Sequence, residues 1–200
     1  MLARARQVGA SPEVTCNLSF VEADAGALSF EAASFAGVTS SSGILHMPDP
    51  SAFIAEAARV LRPSGRLAFS VWCPPPATQG YEIMPKSLAV AGSTTALPEG
   101  PPMFHYADCA NVREALESAG FTDVRSDIVE LVWELGHAAE FWTAIRDGTA
   151  RTRAVLSTLS DGQAVQSHVL AMCAELARPD GSLSLRMPAV VSSGTRAPLH

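Results

Sequence analysis

Apolar positions along the chain change period several times, and each change marks an element. Residues 1–8 (MLARARQV) put Leu2, Ala5 and Val8 on one side of a helix, with Gly9 as its stop. Residues 18–23 (LSFVEA) are a short apolar run suited to a buried parallel strand, and Asp24-Ala25-Gly26 turns out of it. Residues 35–41 (FAGVTSS) read as a second strand, rich in small side chains. Asp49-Pro50 starts a helix well, as an acidic cap followed by proline at the first helical position. Phe53, Ile54, Ala57, Val60 and Leu61 share its apolar face, Arg59 and Arg62 sit in its last turn, and Pro63 stops it. After the turn Arg62-Pro63-Ser64-Gly65, residues 66–72 (RLAFSVW) are the clearest strand in the chain, ended by Pro74-Pro75-Pro76.

The second half is less regular. Residues 77–107 are rich in Gly, Pro, Ser and Thr, and longer than the ~12–15 residues usual for a loop, so a short helix over 83–91 and a covering loop are expected. Residues 108–119 are a helix with Val112, Ala115, Leu116 and Ala119 on one face and Gly120 after it. Residues 124–135 (VRSDIVELVWEL) alternate as one long strand near an edge. Residues 138–145 and 153–177 read as helices, the latter broken at Asp161-Gly162. Pro179-Asp180-Gly181 is a turn, and residues 184–194 form a last strand with Pro188 as a bulge or edge mark. Strands alternating with helices predict an α/β fold: an open, mostly parallel, Rossmann-like sheet with flanking helices. Polar groups at the carboxyl ends of its strands would line a small-molecule site.

Composition narrows this. The 200 residues suffice for one domain with a sizeable core. They are 48% hydrophobic and 17% charged, with mean hydropathy +0.17, so much of the chain is buried or apolar surface is exposed. The net charge of −6 and the lack of any Lys/Arg cluster argue against nucleic acid as a partner. No apolar run approaches the ~18 residues of a membrane span, and the first residues lack the apolar core of a signal peptide. Cys16, Cys73, Cys109 and Cys173 are far apart, with no metal-finger spacing, which fits buried thiols in a reducing, cytoplasmic setting and no metal.

The polar residues at strand ends are the candidate chemistry. Asp24 either caps its own turn or accepts a hydrogen bond from a ligand. Ser40, Ser41 and Ser42 end the second strand, where they could line a pocket or pack beneath a helix. His46 is the candidate base of this stretch, with a packing role as its alternative. His105 and Tyr106 face either an acceptor or a surface loop, and Trp72, Trp133 and Trp142 are core or pocket wall.

The run VEADAGALSF…FAGVTSSSGILHMPDPSAFIAEAARVLRPSGRLAFSVW resembles the class I S-adenosylmethionine-dependent methyltransferases, in particular their type-11 and ubiquinone/menaquinone-biosynthesis-like branch. The likeness rests on Asp24-Ala25 after a strand and on Leu45-His46-Met47-Pro48-Asp49-Pro50. It continues in Val60-Leu61-Arg62-Pro63-Ser64-Gly65, in Ala119-Gly120-Phe121, and in Asp180-Gly181-Ser182-Leu183-Ser184-Leu185. It implies S-adenosylmethionine as cofactor, with adenine held by Asp24 and by the Ala25 N–H, Ser40 and Ser41 lining the site, and an unidentified small molecule as methyl acceptor. Residues 77–107 would be the variable cover and residues 138–177 a helical insertion on the acceptor side.

The departures matter equally. The family's glycine-rich GxGxG loop is missing, since no two of the fourteen glycines are spaced GxG. Met1-Leu2-Ala3-Arg4-Ala5-Arg6 matches a phrase that in the family follows the second strand. The expectation is therefore an incomplete domain over residues 1–200, truncated at its amino end and lacking the first two strands of the family fold. Such a chain would bind cofactor weakly or not at all and be poorly soluble or self-associated through an exposed sheet edge. The alternative function is a non-catalytic remnant acting through another chain; a nucleotide-binding dehydrogenase is disfavoured because its fingerprint loop and acid are absent.

Overall fold

A computed structural model describes residues 2–10, 16–90, 102–148, 150–159 and 162–198. Helix α1 (Leu2–Gly9) is followed by an irregular segment that leads to strand β1 (Phe35–Ser41). Helix α2 (Pro50–Val60) then crosses to β2 (Leu61–Trp72), which lies parallel to β1. Asp49 caps α2, its Oδ1 accepting from the N–H groups of Ser51 at 2.9 Å and Ala52 at 3.1 Å. Next come α3 (Gly80–Val90), α4 (Cys109–Ser118), β3 (Phe121–Val129), β4 (Val132–Leu135), α5 (Ala138–Gly148), α6 (Ala150–Thr158), α7 (Gly162–Leu176), β5 (Leu183–Arg186) and β6 (Ala189–Arg196).

The main sheet is open and mixed, in the order β1-β2-β6-β3. Strands β1, β2 and β3 run one way, and β6 runs against both of its neighbours. Leu67, Phe69 and Val71 of β2 and Val190 of β6 point to one face, where Phe53, Ile54 and Ala57 of α2 and Val112 and Leu116 of α4 complete a core. The register puts Thr39, Ser41, Ala68, Ser70, Ser193 and Thr195 on the reverse face, all half-buried or exposed. A second core joins Ile83 of α3, Phe141 and Trp142 of α5, and Val165, Val169 and Cys173 of α7 to Leu183 and Leu185 of β5. The Ser87 hydroxyl on α3 donates to the Ile83 carbonyl at 2.8 Å and lies 3.1 Å from His168 Nδ1 on α7, tying these helices together.

Four expectations change. Residues 18–23 are not a strand. Among the described residues no strand lies alongside to take up their N–H and C=O groups, so they remain irregular, with one isolated bridge between Asp24 and Ala27. The stretch Arg62-Pro63-Ser64-Gly65 is not a turn outside the strand but an irregularity within β2, where Phe35 pairs with Leu61 and the register then shifts before Gly37–Arg66. Ser64 is left-handed there (φ +64°), and a Cβ on Gly65 would lie 2.8 Å from the Arg62 carbonyl oxygen. Residues 124–135 divide into β3 and β4, and residues 184–194 into β5 and β6. The second division occurs at Pro188, which has no N–H to donate to a ladder. The two halves nevertheless form one bent antiparallel ribbon. Val129–Ala189 and Val132–Arg186 keep the same register on either side of the bend, and the Met187 N–H donates across it to the Leu131 carbonyl at 2.8 Å. Part of the expected cover, residues 91–101, and residues 11–15 of the expected first loop lie outside the described residues. Among the described residues no helix is long and apolar enough to cross a membrane.

Candidate functional site

The carboxyl end of β1 and the amino end of α2 meet at one end of the sheet, joined by Ser42, Gly43 and a 3-10 turn (Ile44–His46). Ser42 takes a left-handed conformation (φ +50°), and its N–H donates to both the backbone carbonyl and the hydroxyl of Ser70, each at 3.1 Å. This fastens the end of β1 to the end of β2. Gly43 is needed beside Ser40: a Cβ there would lie 2.7 Å from Ser40 Oγ.

The Asp24 turn reaches the same place by another route. A Cβ on Gly26 would meet Ala52 Cβ at 3.2 Å, which seats the turn against the first turn of α2. From there the chain runs along α2 toward its carboxyl end. The Leu28 N–H donates to Glu56 Oε1 at 2.8 Å, Arg59 Nη2 donates to the carbonyls of Leu28 at 3.0 Å and Phe30 at 2.8 Å, and the Ala33 N–H donates to the Arg59 carbonyl at 3.0 Å. Glu56 and Arg59 are themselves paired at 2.6 Å. The Arg59 guanidinium holds the Glu56 carboxyl below its usual range, and Glu56 raises Arg59 in return. Arg59 is thus a clamp for residues 28–33 rather than only a favourable charge at a helix end. The acid and base at i and i+3 on one face were the available sign of it.

The candidate residues fare differently. Asp24 is exposed, and its Oδ1 accepts from the Gly26 N–H at 2.9 Å, so it does cap its own turn. Among the described residues no hydrogen bond reaches Oδ2. Ala25 is half-buried against the main core. Ser40 and Ser41 point to opposite faces, opposite Phe69 and Ser70 respectively, so they do not line one pocket together. His46 is exposed on the 3-10 turn.

Tyr106, read from the sequence as facing an acceptor or a loop, is instead buried. It packs edge-on to Phe69 with ring centres 6.0 Å apart, and its hydroxyl engages Ser51 at the start of α2. Burial pushes that hydroxyl's pKa up. His105 stays exposed, with Asn111 Nδ2 donating to its carbonyl at 2.9 Å.

At the end of β2 the sequence had not revealed a chain of aromatic rings. Trp72 packs edge-on to Trp133 at 6.1 Å and lies 6.4 Å from Tyr81, which packs edge-on to Phe104 at 5.5 Å. A shallow apolar cleft of about 470 Å³ opens nearby between Cys73–Ala77, Ala107, Ile128 and Val190. Burial raises the Cys73 thiol pKa. Among the described residues no group of three His, Cys, Asp or Glu side chains is placed to hold a metal ion.

Comparison with known proteins finds relatives in sequence for the first part of the chain and in fold for the whole of it. Residues 1–69 match the methyltransferase domain family. Over 55 residues the chain is 49% identical to the ubiquinone/menaquinone biosynthesis C-methyltransferase UbiE of Rhizobium etli (strain CIAT 652), a stretch covering 28% of this chain and 21% of that protein. The chain therefore matches only about a fifth of that curated relative's length. In fold it is similar to the YcgJ protein of Bacillus subtilis (TM-score 0.57, 16% identity, all of this chain and 79% of that one). It is also similar to a putative methyltransferase of Haloferax volcanii solved with the Trm112 methyltransferase activator (TM-score 0.50, 20% identity, all of this chain and 68% of that one), and to the [4+2]-cyclase SpnF (TM-score 0.50, 16% identity, 99% of this chain and 63% of that one). Residues 1–69 thus resemble the methyltransferase domain family, and the chain as a whole has an open α/β fold similar to those of YcgJ and the Haloferax protein.

Proposed function

We propose that the chain takes part in S-adenosylmethionine-dependent methyl transfer to a small molecule, and that it contributes the adenine side of the cofactor site. The observation that carries this reading is the seating of Asp24-Ala25-Gly26 against the first turn of α2, within the stretch of methyltransferase-domain sequence. Asp24 Oδ2 accepts from the adenine amino group, the Ala25 N–H donates to a ring nitrogen, and Ser40 or Ser41 lines the pocket at the end of β1. The turn suits this group because one carboxylate oxygen fixes the loop while the other is open to an incoming donor. The sulfonium end has no matching glycine-rich cradle in the 200 residues, so the fit is to half of the cofactor.

When bound, S-adenosylmethionine supplies an electrophilic methyl group. The protein's tasks are to align an acceptor with it and to exclude water. His46 is the candidate base where the acceptor must lose a proton. Residues 77–107 act as the cover and residues 138–177 as the acceptor-side helices of a single domain. The rings of Trp72, Tyr81, Phe104 and Trp133 offer a wall suited to a flat, apolar acceptor.

The absence of any GxG favours a second reading, a non-catalytic relative that works through association with another chain, for instance at an open sheet edge. The fold does not choose between them, since a [4+2]-cyclase shares it. Calorimetric titration with S-adenosylhomocysteine decides. The first reading expects affinity weaker than micromolar, lowered about tenfold further by Asp24→Ala, the worth of a hydrogen bond to a charged group. An affinity unchanged by that substitution would overturn the adenine assignment, and no heat at millimolar ligand would favour the second reading.

A further inference from the structure

The strand at the far edge of the main sheet, β3, is bordered by apolar side chains that water reaches. Of the ten large hydrophobic residues exposed among the described residues, five are on or beside this edge: Ile128 (66% exposed), Val129, Leu131, Val132 and Val191. The outer N–H and C=O groups of β3 have no described strand beside them. Arg125 and Asp127 are exposed on the face that also carries Val191, and among the described residues neither is in an ion pair.

Charges on an edge strand normally protect it from pairing. Here the two charges have opposite sign and stand two residues apart on either side of Ser126. We propose that β3 pairs antiparallel with β3 of a second copy of this chain, about a two-fold axis through Ser126. In that register each Arg125 faces Asp127 of the other copy, each Val124 faces Ile128, and the two Ser126 residues face each other. The pairing continues the sheet from one molecule into the next, and it adds two opposite-charge pairs and two apolar pairs across the strands.

The edge disfavours its other symmetric registers. A two-fold edge pairing keeps each face of the sheet continuous, so its axis must pass through a residue position. Centring on Arg125 would oppose the two Arg125 side chains and also Asp123 with Asp127. Centring on Asp127 would oppose the two Asp127 carboxylates. Centring on Val124 would match Asp123 with Arg125, but Asp123 is left-handed (φ +51°) and the ladder to β6 is irregular between Thr122 and Arg125. Centring on Ile128 sets Arg125 against Leu131, leaving both charges without partners. The Ser126 register alone sets both Arg125–Asp127 pairs within the regular part of the strand, with the Val124–Ile128 pairs at its margin.

Sedimentation of the full chain over a concentration series tests this. A reversible monomer–dimer equilibrium is expected. Arg125→Asp or Asp127→Arg should each weaken it about a hundredfold, as attractive cross-strand pairs become repulsive, and the double reversal Arg125→Asp with Asp127→Arg should restore it. Should either single variant fold poorly, Ser126→Cys gives an independent reading. Residues facing each other across an antiparallel pair have Cα atoms ~4.5–5.5 Å apart, within disulfide reach, so mild oxidation should link two chains through the substituted position. A wild-type chain that stays monomeric, a dimer indifferent to the single reversals, failure of the double reversal to restore it, or no cross-link through position 126 would each overturn the proposal.

Discussion

Single side chains settle several local questions on physical grounds. Trp142 is 5% exposed and, among the described residues, its Nε1–H has no hydrogen-bond partner, so a donor has been taken out of water without return. An unsatisfied buried donor costs about 1–3 kcal/mol, whereas the ring itself contributes packing to the second core. Trp142→Phe should therefore leave the unfolding free energy unchanged or raise it by up to about 1 kcal/mol, and Trp142→Ala should lower it by about 3–5 kcal/mol. Denaturant titration of the two variants checks both signs. Glu56 and Arg59 form the other informative pair. The folded-state pKa of Glu56 lies below its usual 4.5, so its contribution is present above that value and lost as pH falls through the folded pKa. Arg59→Met should lower the denaturation midpoint at neutral pH, and the gap from the parent chain should narrow on acidification below about pH 4.5, leaving the part due to the Leu28 and Phe30 carbonyls. Glu134, Asp147 and Asp180 are also held low, by Arg178, Arg146 and Ser182, and give the same acid slope in both chains. A gap unchanged at low pH would contradict the pairing of Glu56 with Arg59. Asp24 was legible as a site candidate from its type and place, but the hydrogen bond to Gly26 and the opposed directions of Ser40 and Ser41 were not. Those depend on backbone conformation and strand pairing.

At the scale of elements, legibility followed whether a signal was local. The start of helix α2 could be read to the residue because its cap, its proline and its apolar stripe all lie within its own sequence, but its end could not be, since Leu61 and Arg62 open β2. Strand β1 matches its expected span for a related reason: small residues bounded by turn formers mark both its ends. Residues 18–23 show the limit. Their composition suits a buried strand, but a strand is made by its neighbour, and none is described beside them. The bent ribbon shows the converse. Alternation over residues 124–135 marked them as extended, but not their partner or the bend at Glu130 and Leu131, which lies opposite Pro188 across the ladder. The irregularity in β2 is a further case, where Ser64 is left-handed and Gly65 has no room for a side chain. Gly65→Ala should cost about 1–3 kcal/mol, because the contact is with rigid backbone rather than a movable side chain. Thermal or denaturant unfolding would show it, and a neutral substitution would mean that the strand accommodates the methyl group by shifting.

For the molecule as a whole, the order β1-β2-β6-β3 with one reversed strand, the helices on its inner face and the separate helical core all serve one arrangement. The carboxyl ends of β1 and β2, the capped start of α2, the Asp24 turn and the aromatic rings gather at one end, where open α/β sheets bind ligands. The fold class was readable because alternation of elements is a long-range regularity that short errors do not erase. The proposed acceptor side was not readable, because the rings that would build it are distant in sequence and no motif records their contacts. In the proposed function the Asp24 turn and the end of β1 form the adenine side of a cofactor site. Backbone amide chemical shifts, followed while S-adenosylmethionine or adenosine is titrated into the chain, test it most directly. Both ligands should shift the amides of residues 24–27 and 40–46, and Asp24→Ala should move those shifts to about tenfold higher ligand while leaving β2 and β6 signals in place. Shifts confined to other parts of the chain, or none at saturating adenosine, would contradict it.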